Sequence, residues 1–290
     1  MSDETFDAHL RTLQASFEMV GETDVLAWLA GERTFGPRTC WLTFDDGYID
    51  LVERVAPALA DAGAQPTAFV ATDVLTCGRV LPADRWYAVL GAARRRRGVL
   101  VGFGEEWAFD LDREADYARL IDGPEKRRYL AAPEAVRPEL LEHLARAVAS
   151  AVCTASERLY LEPRDLPGLV EAGWSVGSHT ASHPLLTTLH QDAIDRELLR
   201  SREDLARLGV MARTLAYPDG AWSPAVAARA AACGYDAAVT LQPSEVKATR
   251  NALALPRLLP VDDPLWVERE LVAWHGHGPG CSITRTHTSS

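Results

Sequence analysis

The feature that most constrains this chain is a rhythm: a short apolar run, a helix-length segment stopped by glycine, then another apolar run. Residues 40–44 (Cys-Trp-Leu-Thr-Phe) read as a strand, and 50–62 as a helix. Leu51, Val55, Ala58 and Leu59 share one face of that helix, with Gly63 as its stop. Residues 67–71 make the next strand. The pattern returns downstream, with helices predicted over 166–172, 192–208 and 224–233, closed by Gly173, Gly209 and Gly234. Strands are predicted over 174–177, 214–217, 236–241 and 255–261, the last containing Pro256, which suits an edge or a strand start. Repeated β-α units imply a mostly parallel sheet covered by helices, left open or rolled into a barrel.

Two regions depart from the rhythm. Residues 1–39 read as a helical segment, with Phe6, Leu10, Leu13, Phe17 and Val20 spaced for one helix and 23–29 for a second. Residues 79–160 hold Trp86, the basic run Arg94-Arg95-Arg96-Arg97, Trp107 and a helix-like stretch over 138–152. They are expected to form a mainly helical insertion, part of one domain spanning 1–275, with the basic run on a solvated helix face. Residues 276–290, rich in Gly, Ser and Thr, are expected to be a flexible tail.

Composition narrows the class. With 290 residues and 47% apolar content the chain can build a large core. A net charge of −11 argues against electrostatic attraction to nucleic acid or anionic lipid, so neither is an expected partner. No run of 18 apolar residues occurs. The five cysteines are scattered without C-x-x-C spacing, and the start MSDETFDAHL has no basic region followed by an apolar one. A cytoplasmic location is the expectation.

Three short segments carry chemistry, each directly after a predicted strand, where α/β folds build sites. Thr43-Phe-Asp-Asp-Gly-Tyr48 places Asp45 beside Asp46. An Asp-Asp-Gly alone is usually a turn, but two adjacent carboxylates are held ionised more easily beside a cation. Gly177-Ser-His-Thr-Ala-Ser-His-Pro184 places His179 four residues from His183, a spacing that converges on one metal ion from a helix face or a tight loop. Its glycine and proline favour the loop. Two imidazoles and one carboxylate leave coordination positions open, the composition of a hydrolytic metal site. Ala216-Tyr-Pro-Asp-Gly-Ala-Trp222 reads by itself as a Pro-Asp-Gly turn between aromatics.

Taken together and in this order, T-F-D-D-G, H-T-x-x-H and Y-P-x-G resemble the polysaccharide deacetylase family, also called the NodB-homology or carbohydrate esterase 4 family, from about Trp41 to Val261. The resemblance implies a distorted (β/α) barrel with mostly parallel strands and a helical insertion. It also implies a metal-dependent hydrolase that removes the acetyl group from an acetylated amino sugar or sugar-containing small molecule. Asp45 would be the general base. Asp46, His179 and His183 would bind a divalent metal, zinc above all, with cobalt or nickel as alternatives. The turn at Asp219 would offer a backbone N–H to the oxyanion, where relatives carry Tyr or Phe.

Several departures accompany the resemblance. The arginine that holds the catalytic aspartate in some relatives falls at Ala216, and Arg257 is the candidate replacement. The late histidine that serves as acid has no clean match; His275 or His277 is the substitute, with Asp236 a candidate to orient it. No strand is expected ahead of residue 40, so the barrel is expected to be incomplete or closed differently. Tyr217, Trp222 and Trp86 are candidate substrate-binding aromatics, with Tyr87 and Trp107 further options for a wall over the metal. The expected partner is a small-molecule or oligosaccharide substrate bearing an N-acyl group. Rival readings are an amidohydrolase of a small amide, formamide or cyclic imide on the same fold, and a non-catalytic carbohydrate-binding relative.

Overall fold

Helix α1, Asp3–Ser16, starts where the Ser2 hydroxyl accepts a hydrogen bond from the Thr5 N–H, and buries Leu10 and Leu13. In the computed structural model, the described residues are 1–60, 63–150, 158–242 and 251–272. The helix ends sooner than its apolar spacing implies, because Phe17 already has extended backbone. Residues Glu18–Val20 then form strand β1, which pairs in parallel with β2, Thr39–Trp41, around helix α2, Glu22–Leu29. A strand ahead of residue 40 is thus present, which corrects the all-helical reading of 1–39. The reason is tertiary. Val20 is buried in one cluster with Phe69, Ala216 and Val239, and that burial outweighs a helical spacing that fits equally well.

After Leu42 the chain continues as β3, Thr43–Phe44, the edge of a five-stranded parallel sheet. Its order is β3, β4 (Thr67–Val70), β7 (Ser175–Ser178), β8 (Thr214–Ala216), β9 (Ala237–Val239). Phe44 stands opposite Ala68, and Ala68 opposite Val176. Strand β4 is buried on both faces, as a parallel strand between helices must be. A π-helical turn at Leu51–Val55 leading into α3 (Ala56–Leu59), then α4 (Thr72–Cys77), α9 (Leu166–Glu171), α10 (Gln191–Arg207) and α11 (Pro224–Ala232) carry the chain between strands. With β1 and β9 sharing an interior cluster, the sheet curls into a distorted, mostly parallel (β/α) barrel, the class expected from sequence.

The predicted strand over 255–261 does not form. Leu255 makes a single bridge to Val239, and the chain then leaves the sheet, exposing Leu258, Leu259 and Val261. Pro256 has no N–H to continue the pairing.

The insertion carries α5 (Pro82–Gly91), α6 (Glu114–Asp122), α7 (Pro124–Ala131) and α8 (Arg137–Ala147) around its own apolar cluster of Trp86, Leu100, Phe109, Leu120 and Leu144. It also contains an antiparallel hairpin, β5 (Arg97–Leu100) with β6 (Trp107–Asp110), which the helical reading missed. The arginine run is therefore no helix face. It is a bent segment leading into β5, which starts at Arg97; Arg96 pairs with Asp112 at 2.5 Å and Arg97 with Asp110 at 2.8 Å. The predicted helix ends at 62 and 152, residues 276–290, and both His275 and His277 lie outside the described residues. Among the described residues no helix is long and apolar enough to cross a membrane.

Candidate metal and catalytic site

Three loops meet at the carboxyl ends of β3, β7 and β8. Five non-glycine residues among those described have positive φ, and four lie in these loops: Asp46 (73°), Thr180 (66°), His183 (57°) and Asp219 (52°). Such backbone costs on the order of 1–3 kcal/mol per residue and persists where the surroundings over-determine it.

The turn after β3 is shaped by Gly47. Its φ is 85°, and a Cβ there would stand 2.6 Å from Val70 Cγ1. Glycine lets the turn lie against β4 and aims both aspartates inward. The turn after β7 is held by side chains. Glu197 of α10 accepts hydrogen bonds from the Ala181 N–H (3.1 Å), the Ser182 N–H (2.8 Å) and the Ser182 hydroxyl (2.9 Å). Thr180 Oγ1 accepts from the His183 N–H at 3.1 Å.

The result is a convergence of Asp46, His179 and His183. Their ligand atoms all lie within 4.8 Å of one another. Asp46 Oδ1 is 3.5 Å from His179 Nε2 and 3.3 Å from His183 Nε2, with the rings nearly perpendicular. His179 Nδ1 lies 2.8 Å from the Ala216 carbonyl, which can only accept, so Nδ1 carries the proton and Nε2 offers its lone pair. Burial pulls the His179 pKa down to about 4, keeping the ring neutral. Asp46 Oδ1 is buried without a hydrogen-bond partner. A carboxylate oxygen facing an imidazole lone pair repels it, and a cation between them relieves the repulsion; the donor set fits a divalent metal.

Electrostatics point the same way. Burial pushes the Asp46 carboxyl up to about 6; His183 opposes the shift, and the charges of Asp45, Asp84 and Asp219 add to it. Asp45 is different. Burial works to raise it too, but His179 and two hydrogen bonds from Arg257 outweigh that, and the carboxyl is held below the usual range. Arg257 Nη1 also donates to Thr43 Oγ1 at 3.1 Å, and Nε to the Thr240 carbonyl at 3.2 Å. The segment that failed to become a strand thus delivers the guanidinium to Asp45.

Asp219 is exposed in the turn after β8, in left-handed backbone. Its neighbours' amides are spent, Gly220 N–H on the Tyr217 carbonyl and Ala221 N–H on that of Pro218. The Asp219 N–H makes no hydrogen bond among the described residues.

The aromatic assignments need correction. Tyr217 is fully buried among Leu186, Leu215 and Val226, and its hydroxyl donates to the Leu253 carbonyl at 2.8 Å. Trp86 is 0% exposed in the insertion's core, and its indole N–H donates to the Leu120 carbonyl at 2.7 Å. Neither ring has a face for a sugar. Both sequence positions allowed this, since large aromatics fill cores more often than sites. Trp222 is half-buried against the same cluster as Tyr217. Tyr87 sits under the Lys126 ammonium and Trp107 under the Arg119 guanidinium. Asp236 pairs with Arg213 at 2.6 Å on the surface.

Sequence reasoning missed a polar cluster beside the site. Tyr48 and Tyr160 stack with centroids 5.4 Å apart, and both hydroxyls donate to Asp84 in the first turn of α5. Tyr160 also accepts the Leu81 N–H at 2.9 Å. Tyr48 directly follows the Asp-Asp-Gly, which was a signal; Asp84 and Tyr160 carried none.

The family model for polysaccharide deacetylase matches residues 122–238, taking in the histidine loop and the Asp219 turn. The chain resembles the polysaccharide deacetylases in sequence and in fold. The deacetylase PplD of Streptococcus pyogenes, determined with acetate, superposes with a TM-score of 0.61 at 17% identity, over 92% of this chain and 85% of that one. IcaB from Ammonifex degensii gives 0.56 at 17% identity, over 94% and 86%. A de-N-acetylase from Aggregatibacter actinomycetemcomitans gives 0.54 at 11% identity, over 91% and 86%. No curated protein matches the chain by sequence. The family match begins inside the insertion, after the Asp45-Asp46 turn that the fold returns to the same site.

Proposed function

We propose that this protein is a metal-dependent hydrolase that removes the acetyl group from an acetylated amino sugar or a sugar-containing small molecule. The observation that carries the reading is the orphaned Asp46 Oδ1 facing the Nε2 atoms of His179 and His183, beside an arginine-held Asp45. The family match and deacetylase neighbours supply the reaction class.

Asp46, His179 and His183 would hold the metal, with zinc the expected ion. When bound, it would acidify a water and polarise the amide carbonyl. The chain's own residues do the rest. Asp45, held ionised by Arg257, accepts the proton of the attacking water. The Asp219 N–H donates to the carbonyl oxygen as negative charge builds on it. Breaking the C–N bond gives acetate and a free amine, whose nitrogen needs a proton; His275 is the residue we assign to supply it.

The decisive experiment is product analysis with zinc-loaded protein on N-acetylglucosamine and its oligomers, following acetate and free amine together. Stoichiometric release of both supports the proposal. Release of formate from formamides, or ring-opened acid from cyclic imides, with no acetate from any sugar, transfers the site to the rival substrate class. Sugar binding with no product from any amide replaces the enzyme reading with the binding one.

A further inference from the structure

Between the insertion and the barrel lies a cavity of about 200 Å³, whose lining includes Arg79, Arg85, Tyr129, Glu134, Arg137 and Ser182. At roughly 30 Å³ per water, that is room for a phosphate group with some solvent, and too little for a stretch of polymer. Its charges are unevenly matched. The two acids in the wall are already paired, Glu134 with Arg79 at 2.9 Å, and Asp73 with Arg79 and Arg200. Arg85 and Arg137 make no ion pair among the described residues. Burial lowers the Arg137 pKa, Tyr129, Glu134 and Glu197 oppose that shift, and Arg85 lies near enough to add to it. Arg137 is fixed by donating from Nε to the Ala132 carbonyl and from Nη2 to that of Leu130, which leaves Nη1 free of these bonds. Tyr129, 1% exposed, has no hydrogen bond for its hydroxyl among the described residues. Two guanidiniums without an ion pair and a hydroxyl without a hydrogen bond among the described residues thus line one cavity, beside two carboxylates already engaged by Arg79 and Arg200, in a protein of net charge −11.

We infer that this cavity seats an anionic phosphate ester carried by the substrate, held by Arg85, Arg137 and Tyr129. Arginine suits the role because its planar donors match phosphate oxygens in pairs. The cavity also lies beside the candidate site. Arg85 follows Asp84, which holds Tyr48, and Ser182 precedes His183. The inference rests on the proposed reaction for its substrate, but not for the binding of phosphate itself.

The test has two arms on the full chain. In the first, inorganic phosphate is titrated calorimetrically into wild type, Arg85→Gln and Tyr129→Phe. Wild type is expected to bind, and Arg85→Gln, at an exposed helical position that should not disturb folding, to bind at least about tenfold more weakly. In the second, kcat/KM is compared for N-acetylglucosamine 6-phosphate and N-acetylglucosamine. The ratio is expected to exceed one in wild type and to fall toward one in Arg85→Gln. Phosphate binding that Arg85→Gln weakens, with neither sugar deacetylated, upholds the seat and defeats the deacetylase reading. No phosphate binding at tens of millimolar, or equal binding by Arg85→Gln, overturns the seat whatever the rates show. A ratio of one in an active wild type overturns its assignment to the substrate.

Discussion

Arg257 donates to both carboxylate oxygens of Asp45, Nη1 to Oδ1 at 2.7 Å and Nη2 to Oδ2 at 2.6 Å. The pair lies 212 positions apart in sequence and joins the first strand of the main sheet to the segment after its last. A forked, two-point contact fixes the plane of the carboxylate and favours its ionised form, which a base that must take a proton from water requires. Arg257→Gln is expected to lower kcat by about 10²-fold, the scale of a misplaced catalytic group, while metal content stays at the wild-type level. Arg257→Lys, a point charge without the fork, should recover part of that loss. Steady-state rates with parallel elemental analysis decide it, and wild-type kcat in Arg257→Gln would remove the arginine from the mechanism.

The metal assignment separates two neighbouring acids. Asp46→Ala and His183→Ala should each strip the metal from purified protein, because each removes one of three converging ligands. Asp45→Asn should keep the metal and lose on the order of 10²–10⁴ in rate, the usual contribution of a positioned base. Full metal occupancy in Asp46→Ala would falsify the ligand set.

How far the sequence announced this arrangement depends on what each residue interacts with. The strands over 67–71, 174–177 and 214–217 were legible because apolar runs between glycine-stopped helices have few other solutions, and the motif residues followed from strand ends. β1 was not legible, since Phe17 and Val20 fit a helix and a strand alike, and only Val20's burial against Val239 decides between them. The insertion hairpin was hidden by a charged run whose last two arginines find partners in Asp110 and Asp112 after the turn. Tyr217, inside the third motif, and Trp86, in the insertion, misled for the opposite reason: an exposed aromatic near a site would look functional, and packing alone reveals that both are core. Residues that act through others, such as Glu197 and Asp84, leave no local pattern.

Glu197 makes that last group testable. It accepts three hydrogen bonds from Ala181 and Ser182, immediately before His183. Groups that support metal ligands typically contribute 10–100-fold in affinity. Glu197→Ala is expected to weaken zinc binding by about that factor, read by chelator competition, with the circular-dichroism spectrum unchanged. Unaltered zinc affinity would make Glu197 a structural residue only.

Gly47 gives a prediction about stability. Alanine there adds a methyl group 2.6 Å from Val70 Cγ1 and imposes a side chain on a φ of 85°. The left-handed backbone alone costs about 1–2 kcal/mol, and overpacking about 1–3 kcal/mol more. Thermal unfolding of Gly47→Ala should show a marked fall in Tm and reduced metal retention, because Asp46 is displaced with the turn. A melting curve that superposes on wild type would mean the turn relaxes freely.

Glu22 provides a pH dependence away from the metal. Its carboxyl starts α2 and lies against β8, where burial raises its pKa; hydrogen bonds from Thr214 and Ser175 and the charge of Arg213 only partly offset this. A carboxyl whose folded pKa exceeds its unfolded one binds its proton more tightly in the native state. Its stabilising contribution is therefore fully present below the unfolded pKa and is lost as pH rises through the folded value. Above the folded pKa the ionised group is buried at a cost, so there Glu22→Gln, which keeps an acceptor for the Thr214 hydroxyl, should raise Tm. As pH falls below the carboxylate range the wild-type group is protonated in both states, and the two melting temperatures should converge. A difference that grows on acidification would show that the Thr214 bond to the charged carboxylate outweighs its desolvation.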